Sequence, residues 1–124
     1  MSLNYVKRPS RDKWIPRIYE IYIERLKIYE EAFREFVEAL CRSDKIIDAF
    51  LVGSRARGDN LPYSDYDIVV VVPSNIDKLS VAEELRRLRK KSFPLDLIPL
   101  YKDELNDPIY SEMLRYARKL CKNR

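Results

Sequence analysis

The stretch that most constrains the fold is "YDIVVVV", residues 66–72 of the 124-residue chain. Valine and isoleucine branch at Cβ and favour strands, and here they fill consecutive positions instead of alternating with polar residues. A strand that is apolar on both faces has to be covered on both sides. The sequence therefore predicts an interior strand at residues 66–72, with other elements packed above and below it.

A long helix is predicted before this strand, over residues 16–42. Apolar side chains recur there at spacings of three and four, which is the period of one helix face. These side chains are Ile18, Tyr22, Leu26, Tyr29, Phe33, Phe36, Val37 and Leu40. Pro16 stands near the first turn, where a missing N–H costs least. A helix of about seven turns is longer than a small sheet is wide, so its overhang could form an interface with another chain.

The remaining elements complete a small α/β domain. Strands are predicted at residues 46–52 and 93–100, with a turn or short helix start at 54–58. A helix is predicted at 76–91, capped by Ser74 or Asn75, and another at 109–122 after Pro108. This order predicts helices packed against a short mixed sheet.

We expect one domain over residues 1–124, because the chain is long enough for a single core but not for two. Within it we expect a helical extension at 1–43, a core at 46–100 and a C-terminal helix at 108–122. No apolar run approaches the ~20 residues that span a bilayer, and the N-terminus lacks the apolar middle of a signal peptide. We therefore expect a cytoplasmic protein without a membrane partner.

Cysteine usage points to no special chemistry. Cys41 and Cys121 are the only two cysteines, and each falls within a predicted helix. Neither a disulfide framework nor a cysteine zinc site is predicted, and both residues are expected to be small core or surface side chains.

The formal net charge is +4, and the basic residues are clustered. Solvated helix ends and tails explain each cluster taken singly, since cations there complement the helix dipole. An anionic partner such as a nucleotide, RNA or an acidic protein face is the alternative. The clusters are Lys7, Arg8, Arg11, Lys13 and Arg17; Arg86, Arg87, Arg89, Lys90 and Lys91; and Arg115, Arg118, Lys119, Lys122 and Arg124.

Three aspartates form the candidate catalytic set. Asp65 and Asp67 are two positions apart, so in an extended chain they project from one face, where two carboxylates repel unless a cation lies between them. Either one alone is better explained as a turn or strand-start residue. Asp96, however, stands between leucines in "PLDLIPL", where a buried charge is costly without a partner. If the strand at 93–100 adjoins that at 66–72, all three converge.

The donor set indicates which metal such a site would hold. Carboxylate oxygens are hard ligands, and the chain contains no histidine. Hard oxygen ligands favour Mg²⁺ or Mn²⁺ over zinc.

A candidate phosphate contact precedes the aspartates. Gly53 and Ser54 follow the strand at 46–52, where glycine allows close backbone approach and serine can donate a hydrogen bond to a phosphate oxygen. Arg55 and Arg57 lie close enough to add positive charge, although a solvated loop explains them equally well. The predicted nucleotide-binding residues are therefore Gly53, Ser54, Arg55 and Arg57.

The stretch "GSRARGDNLPYSDYDIVVVV" as a whole resembles the DNA polymerase β-like nucleotidyltransferase superfamily. A Gly-Ser pair, ten residues and an Asp-Tyr-Asp triplet are each joined to a hydrophobic strand, and Asp96 falls where that superfamily has its third carboxylate. The resemblance covers residues 46–100 and is strongest to the minimal nucleotidyltransferases of bacteria and archaea. It requires fixed spacing, strand context and a distant acid, so it is more specific than one glycine-rich pattern.

The resemblance implies an enzyme that transfers NMP from ATP or another NTP to a hydroxyl and releases pyrophosphate. It implies that Asp65, Asp67 and Asp96 hold two Mg²⁺ or Mn²⁺ ions, while Gly53 and Ser54 bind the β- and γ-phosphates. It also implies a polymerase β-like nucleotidyltransferase fold.

The partner implied by the resemblance is a helical HEPN-type toxin, for which minimal nucleotidyltransferases act as antitoxins, some by adding AMP to a toxin tyrosine. The long N-terminal helix departs from the commonest family pattern and leaves the docking mode open. Two alternatives stand beside this hypothesis: a nucleotide-binding antitoxin or scaffold without turnover, and transfer to RNA or a small molecule. Homo-oligomerisation is also left open.

Overall fold

The computed structural model describes the backbone of residues 9–122 and the side chains of residues 17–122. The first eight residues of the predicted extension at 1–43, and residues 123–124, lie outside the described part. The elements, in chain order, are α1 (Pro9–Cys41), β1 (Asp48–Val52), α2 (Gly53–Arg57), β2 (Tyr66–Val72), α3 (Lys78–Arg86), β3 (Leu95–Tyr101), a 3₁₀ turn (Lys102–Asn106), α4 (Pro108–Ser111) and β4 (Arg118–Lys119). The predicted fold class is confirmed.

The four strands form one mixed sheet in the order β3-β2-β1-β4. β2 is parallel to β3 and antiparallel to β1, and β1 is antiparallel to β4. All residues of β2 are buried except Asp67, which is half-buried. The prediction of an interior strand at residues 66–72 is therefore confirmed, and both its neighbours are strands that the sequence also predicted.

One face of the sheet packs against α1 and α3. Ile68, Val70 and Val72 point to this side, together with Ala49 and Leu97. The helices contribute Ala32, Phe36 and Leu40 from α1 and Val81, Ala82 and Leu85 from α3. This face holds the larger part of the hydrophobic core.

The segment after β3 covers the opposite face. Val52, Val69, Val71 and Leu100 lie on that side and are almost completely buried. The side chains that cover them are Leu105, Tyr110, Met113, Leu114 and Ala117. Asp67 and Asp96 belong to the same alternating rows as Val69 and Ile98, so their carboxylates lie on this second face.

The first half of α1 extends beyond the sheet, as the helix length predicted. We call residues 17–28 the overhang, because Tyr29 packs against the core and Glu30 bonds to Tyr66. Most of its large apolar side chains are exposed, including Tyr19 (65%), Ile21 (56%) and Tyr22 (48%). Burial begins at Ala32. Among the described residues, no helix is both long and apolar enough to cross a membrane.

The predicted helix at 109–122 is wrong. Only Pro108–Ser111 is α-helical, and after a series of turns Arg118 and Lys119 form β4 on the outer edge of β1. Met113, Leu114 and Ala117 have helical spacing, but turns are enough to place their side chains against the sheet. Strand pairing also satisfies backbone groups of β1 that would otherwise form an open edge.

Smaller differences concern helix ends. The helix predicted at 76–91 covers only Lys78–Arg86, and its cap is Asp77 instead of Ser74 or Asn75. The Asp77 carboxylate accepts hydrogen bonds from the backbone N–H (3.2 Å) and hydroxyl (2.6 Å) of Ser80. These bonds hold the pKa of Asp77 below its usual range.

Cys41 and Cys121 form a disulfide, contrary to the sequence prediction. It joins the end of α1 to the chain just after β4 across a separation of 80 residues. Cys121 is nearly fully buried. The prediction failed because β4, which brings Cys121 to the end of α1, was itself expected to be part of a helix.

Candidate active site

Gly53 follows the last residue of β1 and begins α2 with a backbone angle φ of +74°, a conformation that residues with a side chain rarely adopt. Val52 pairs with Asp67 in the antiparallel ladder between β1 and β2, so the next residue lies beside the Asp67 carboxylate. A Cβ atom on Gly53 would overlap Asp67 Oδ2 and lie 3.2 Å from its Cγ. Glycine is therefore needed here both for its backbone angle and for the space that it leaves.

Asp67 and Asp96 are register partners on the adjacent parallel strands β2 and β3. Asp65 precedes Asp67 by two residues. Burial raises the pKa of Asp67, and the negative charges of Asp96 and Asp65 raise it further. The three predicted carboxylates thus lie at the same end of the sheet, close enough for the charges of Asp65 and Asp96 to act on Asp67.

The three aspartates differ in exposure from the sequence expectation. Asp67 is half-buried, whereas Asp65 and Asp96 are exposed. The expectation that Asp96 is buried between leucines is wrong, because β3 is an edge strand and Asp96 is its second residue. Burial therefore acts on Asp67, and Asp96 is free to contact a ligand at the surface.

The two predicted arginines lie in different environments. Arg57 is exposed and pairs with Asp59, its Nε lying 3.2 Å from Asp59 Oδ2. Its positive charge lowers the pKa of Asp67, against the effects of burial and the other aspartates. The Arg55 guanidinium instead contacts the loop that carries Asp65. Arg57 is therefore the better placed of the two to contact an anion near Asp67.

The profile of the nucleotidyltransferase domain family matches residues 33–120, well over half of the chain. The chain belongs to this family. The match includes β1, α2, β2 and β3, and with them every predicted site residue. Nucleotidyl transfer is the general activity that membership in this family supports.

The other two comparisons add the following findings. A solved structure from Sulfolobus solfataricus, whose own assignment as a nucleotidyltransferase is provisional, has 23% sequence identity and a TM-score of 0.49 to this chain. The similarity covers 82% of this chain and 83% of that one. Comparison with functionally curated proteins found no match. Family membership rests on the sequence match alone.

The side chains of the candidate site have the donor chemistry that a divalent cation prefers. Among the described residues, no group of three or more acidic, cysteine or histidine side chains is already gathered as a metal site. The donors at this end of the sheet are nevertheless all carboxylate oxygens, and burial together with their mutual repulsion raises the pKa of Asp67. A cation between them would remove that repulsion. Asp65, Asp67 and Asp96 are the residues that would hold it.

Tyr66, between the two aspartates, has a role that the sequence did not reveal. Its ring stacks on Phe33 of α1 at 4.7 Å and meets Phe93 edge-on at 5.3 Å. Its hydroxyl donates a 3.0 Å hydrogen bond to Glu30. Burial and the Glu30 charge raise the pKa of Tyr66 to about 12. The alternation that turns both aspartates to one face could have indicated that this tyrosine packs on the other.

Several residues of the basic clusters have partners within the chain. Lys91 pairs with Glu35 (3.0 Å), and Arg89 donates to the carbonyl of Phe93 (2.7 Å). Arg118 donates to the carbonyl of Ala56 (3.1 Å) and so ties β4 to α2. These contacts favour the interpretation of such residues as structural and weaken the case for a continuous anion-binding surface.

Proposed function

We propose that this protein is a metal-dependent nucleotidyltransferase that transfers NMP, from ATP in the first instance, to a hydroxyl group. The observation that carries the proposal is the side-chain-free backbone of Gly53 against the carboxylate of Asp67, with Asp96 as the register partner on the next strand. Asp65, Asp67 and Asp96 would hold two Mg²⁺ or Mn²⁺ ions. Gly53, Ser54 and Arg57 would contact the phosphates.

The reaction is a displacement at the α-phosphorus. The acceptor oxygen forms a bond to that phosphorus, the bond to the bridging oxygen breaks, and pyrophosphate leaves. Bound divalent ions would neutralise the phosphates and lower the pKa of the attacking hydroxyl. Asp96, which is exposed, would accept the hydroxyl proton, and the absence of a side chain at Gly53 leaves room for the Asp67 carboxylate.

We place the acceptor hydroxyl on a protein partner, a helical HEPN-type toxin, for which this protein would act as antitoxin. The overhang supports a protein partner. Phe33 and Glu30 contact Tyr66 at the start of β2, so α1 leaves the sheet at the same end as the carboxylates, on the opposite face. The exposed Tyr19, Ile21 and Tyr22 lie about two to three turns further toward the N-terminus of α1. A partner held on the overhang would therefore be at the end of the sheet that carries the site.

Labelled transfer tests the enzymatic part. The protein, copurified with its partner, is incubated with Mg²⁺ and [α-³²P]ATP, and label and intact mass are followed on both proteins and on added RNA. We expect one or more AMP groups on the partner and none with the double variant Asp65→Ala, Asp67→Ala. The matched control is Asp103→Ala, an exposed aspartate on the 3₁₀ turn. Transfer that survives in the double variant would show that the site is wrongly assigned.

The same variants separate the alternative functions. If the double variant transfers nothing yet still neutralises the partner in cells, the protein is a docking antitoxin whose overhang suffices. Label on RNA or a small molecule, with none on protein, would identify a different acceptor.

The overhang is tested by Tyr19→Glu with Tyr22→Glu. We expect this variant to lose the partner on a sizing column. Tyr116→Glu, at a tyrosine of similar exposure (52%) outside α1, should retain it. Loss of the partner in both variants, or in neither, would show that the overhang is not the docking surface.

A further inference from the structure

The side chain of Arg55 is committed to the loop between α2 and β2. Its Nε donates to the carbonyl of Ser64 and its Nη2 to the carbonyl of Pro62, each at 3.0 Å. The guanidinium carbon also lies 3.7 Å from the centre of the Tyr66 ring. A guanidinium is a rigid planar fork, and here that fork fits two backbone carbonyls while one of its faces covers an aromatic ring.

These contacts lie on both sides of Asp65. Ser64, directly before it, is held by Arg55 and closes a turn in which its hydroxyl accepts from the Leu61 N–H at 2.8 Å. Tyr66, directly after it, is held by the Arg55 face and by a 2.8 Å bond from its N–H to the carbonyl of Pro94. Asp65 itself is exposed. Its position is therefore set through its two neighbours.

The sequence predicts phosphate contacts for both Arg55 and Arg57. In the structure, however, Arg55 is bonded to the loop that carries Asp65. We propose that Arg55 is a positioning residue, which fixes the Asp65 carboxylate for cation binding through Ser64, Pro62 and Tyr66. This rests on the proposed function, because it assumes that Asp65 is a cation ligand. Loss of such an orienting contact costs metal sites about 10- to 100-fold in affinity.

The test measures Mn²⁺ and ATP binding separately. Free Mn²⁺ is quantified by electron paramagnetic resonance, and ATP binding by equilibrium dialysis without added metal. We expect Arg55→Ala to weaken Mn²⁺ binding at least about 10-fold, within the usual range for an orienting contact, and to change metal-free ATP binding less than twofold. Arg57→Ala is the matched control. It should weaken metal-free ATP binding and leave Mn²⁺ binding no weaker, because the exposed positive charge that it removes is the one near Asp67.

A second variant and a second measurement distinguish the loss of the positioning contact from misfolding of the whole protein. Arg55→Lys keeps the charge but cannot bridge two carbonyls as a fork, so it should recover only part of the Mn²⁺ affinity. Hydrogen exchange should be faster in residues 61–66 of Arg55→Lys than of Arg57→Lys, with the strands unchanged.

The outcomes distinguish this proposal from the one on which it rests. If the wild-type protein binds no Mn²⁺, the metal site and this role of Arg55 are both refuted. If the wild type binds Mn²⁺ and both Arg55 variants do so within twofold, with unchanged exchange, only the positioning role is overturned. Weakened ATP binding with unchanged Mn²⁺ binding would return Arg55 to the phosphate contacts.

Discussion

Gly53→Ala and Gly58→Ala form a matched pair that isolates the contact at the centre of the proposed site. Both glycines have positive φ angles, +74° and +86°. Alanine at either position should lose about 1–2 kcal/mol of folding free energy from that backbone conformation alone. For a domain of this size the loss corresponds to a fall of about 4–8 °C in Tm.

The two positions differ in what a Cβ would meet. At Gly58 nothing lies within 4 Å, whereas at Gly53 the new atom would overlap Asp67 Oδ2. A carboxylate can turn away at little energetic cost, so the two variants should be similarly stable. Turning away nevertheless moves Asp67 by roughly 1 Å, and a misplacement of that size costs about 100-fold in a catalytic site.

The assay pairs thermal unfolding with Mn²⁺ affinity and the rate of AMP transfer. Gly53→Ala should lose about 100-fold in transfer and bind Mn²⁺ more weakly, while Gly58→Ala stays within about threefold of wild type at a similar Tm. Equal activity in the two variants would refute the idea that space at Gly53 is needed by Asp67. A much larger fall in Tm for Gly53→Ala would show that the contact serves stability.

Three further predictions follow from the contacts of single side chains. The raised pKa of Asp67 means that its protonated form favours the fold, an effect present below its ordinary pKa and lost as pH rises through the raised value; Asp67→Asn should therefore raise Tm at pH 7 but not at about pH 3, which lies below the ordinary pKa of about 3.9. An equal change at both pH values would contradict this. Replacing both Cys41 and Cys121 by serine should cost about 4–5 kcal/mol for a loop of 80 residues, measured by urea unfolding, and dithiothreitol should affect only the wild type; unchanged stability would argue against the disulfide. Tyr66→Phe removes the hydrogen bond to Glu30 and should cost about 1 kcal/mol. Because the pKa of Tyr66 is raised to about 12, ultraviolet titration up to about pH 11 should ionise the same number of tyrosines in the wild type and in the variant, and one more in the wild type would contradict the raised value.

The parts of the fold that were predicted depend on local patterns. β2 follows from a run of β-branched residues, and α1 from apolar spacings sustained over many turns, which few other structures satisfy. The segment after Pro108 shows the limit of this reasoning. Ile109, Met113, Leu114 and Ala117 have helical spacing, yet most of them pack through turns because β1 offers an edge to be paired.

The candidate site divides in the same way. The Asp-Tyr-Asp triplet and the Gly-Ser pair could be identified because alternation along a strand and the properties of glycine are local. The environment of Asp96 was mistaken, since exposure depends on whether a strand lies at the edge of the sheet. The positioning role of Arg55 could not be inferred either. Its partners are backbone carbonyls of a loop, and the path of that loop depends on the tertiary structure.

Local sequence patterns specify which chemical groups this protein has available: carboxylates on one face of a strand, a glycine turn before them and an amphipathic helix longer than the sheet. Tertiary structure alone decided that β2 and β3 run in parallel with Asp67 beside Asp96, that Val52 pairs with Asp67, and that the two cysteines meet. The physical reason is that side-chain periodicity acts over a few residues, whereas strand register and disulfide pairing depend on how the whole core packs.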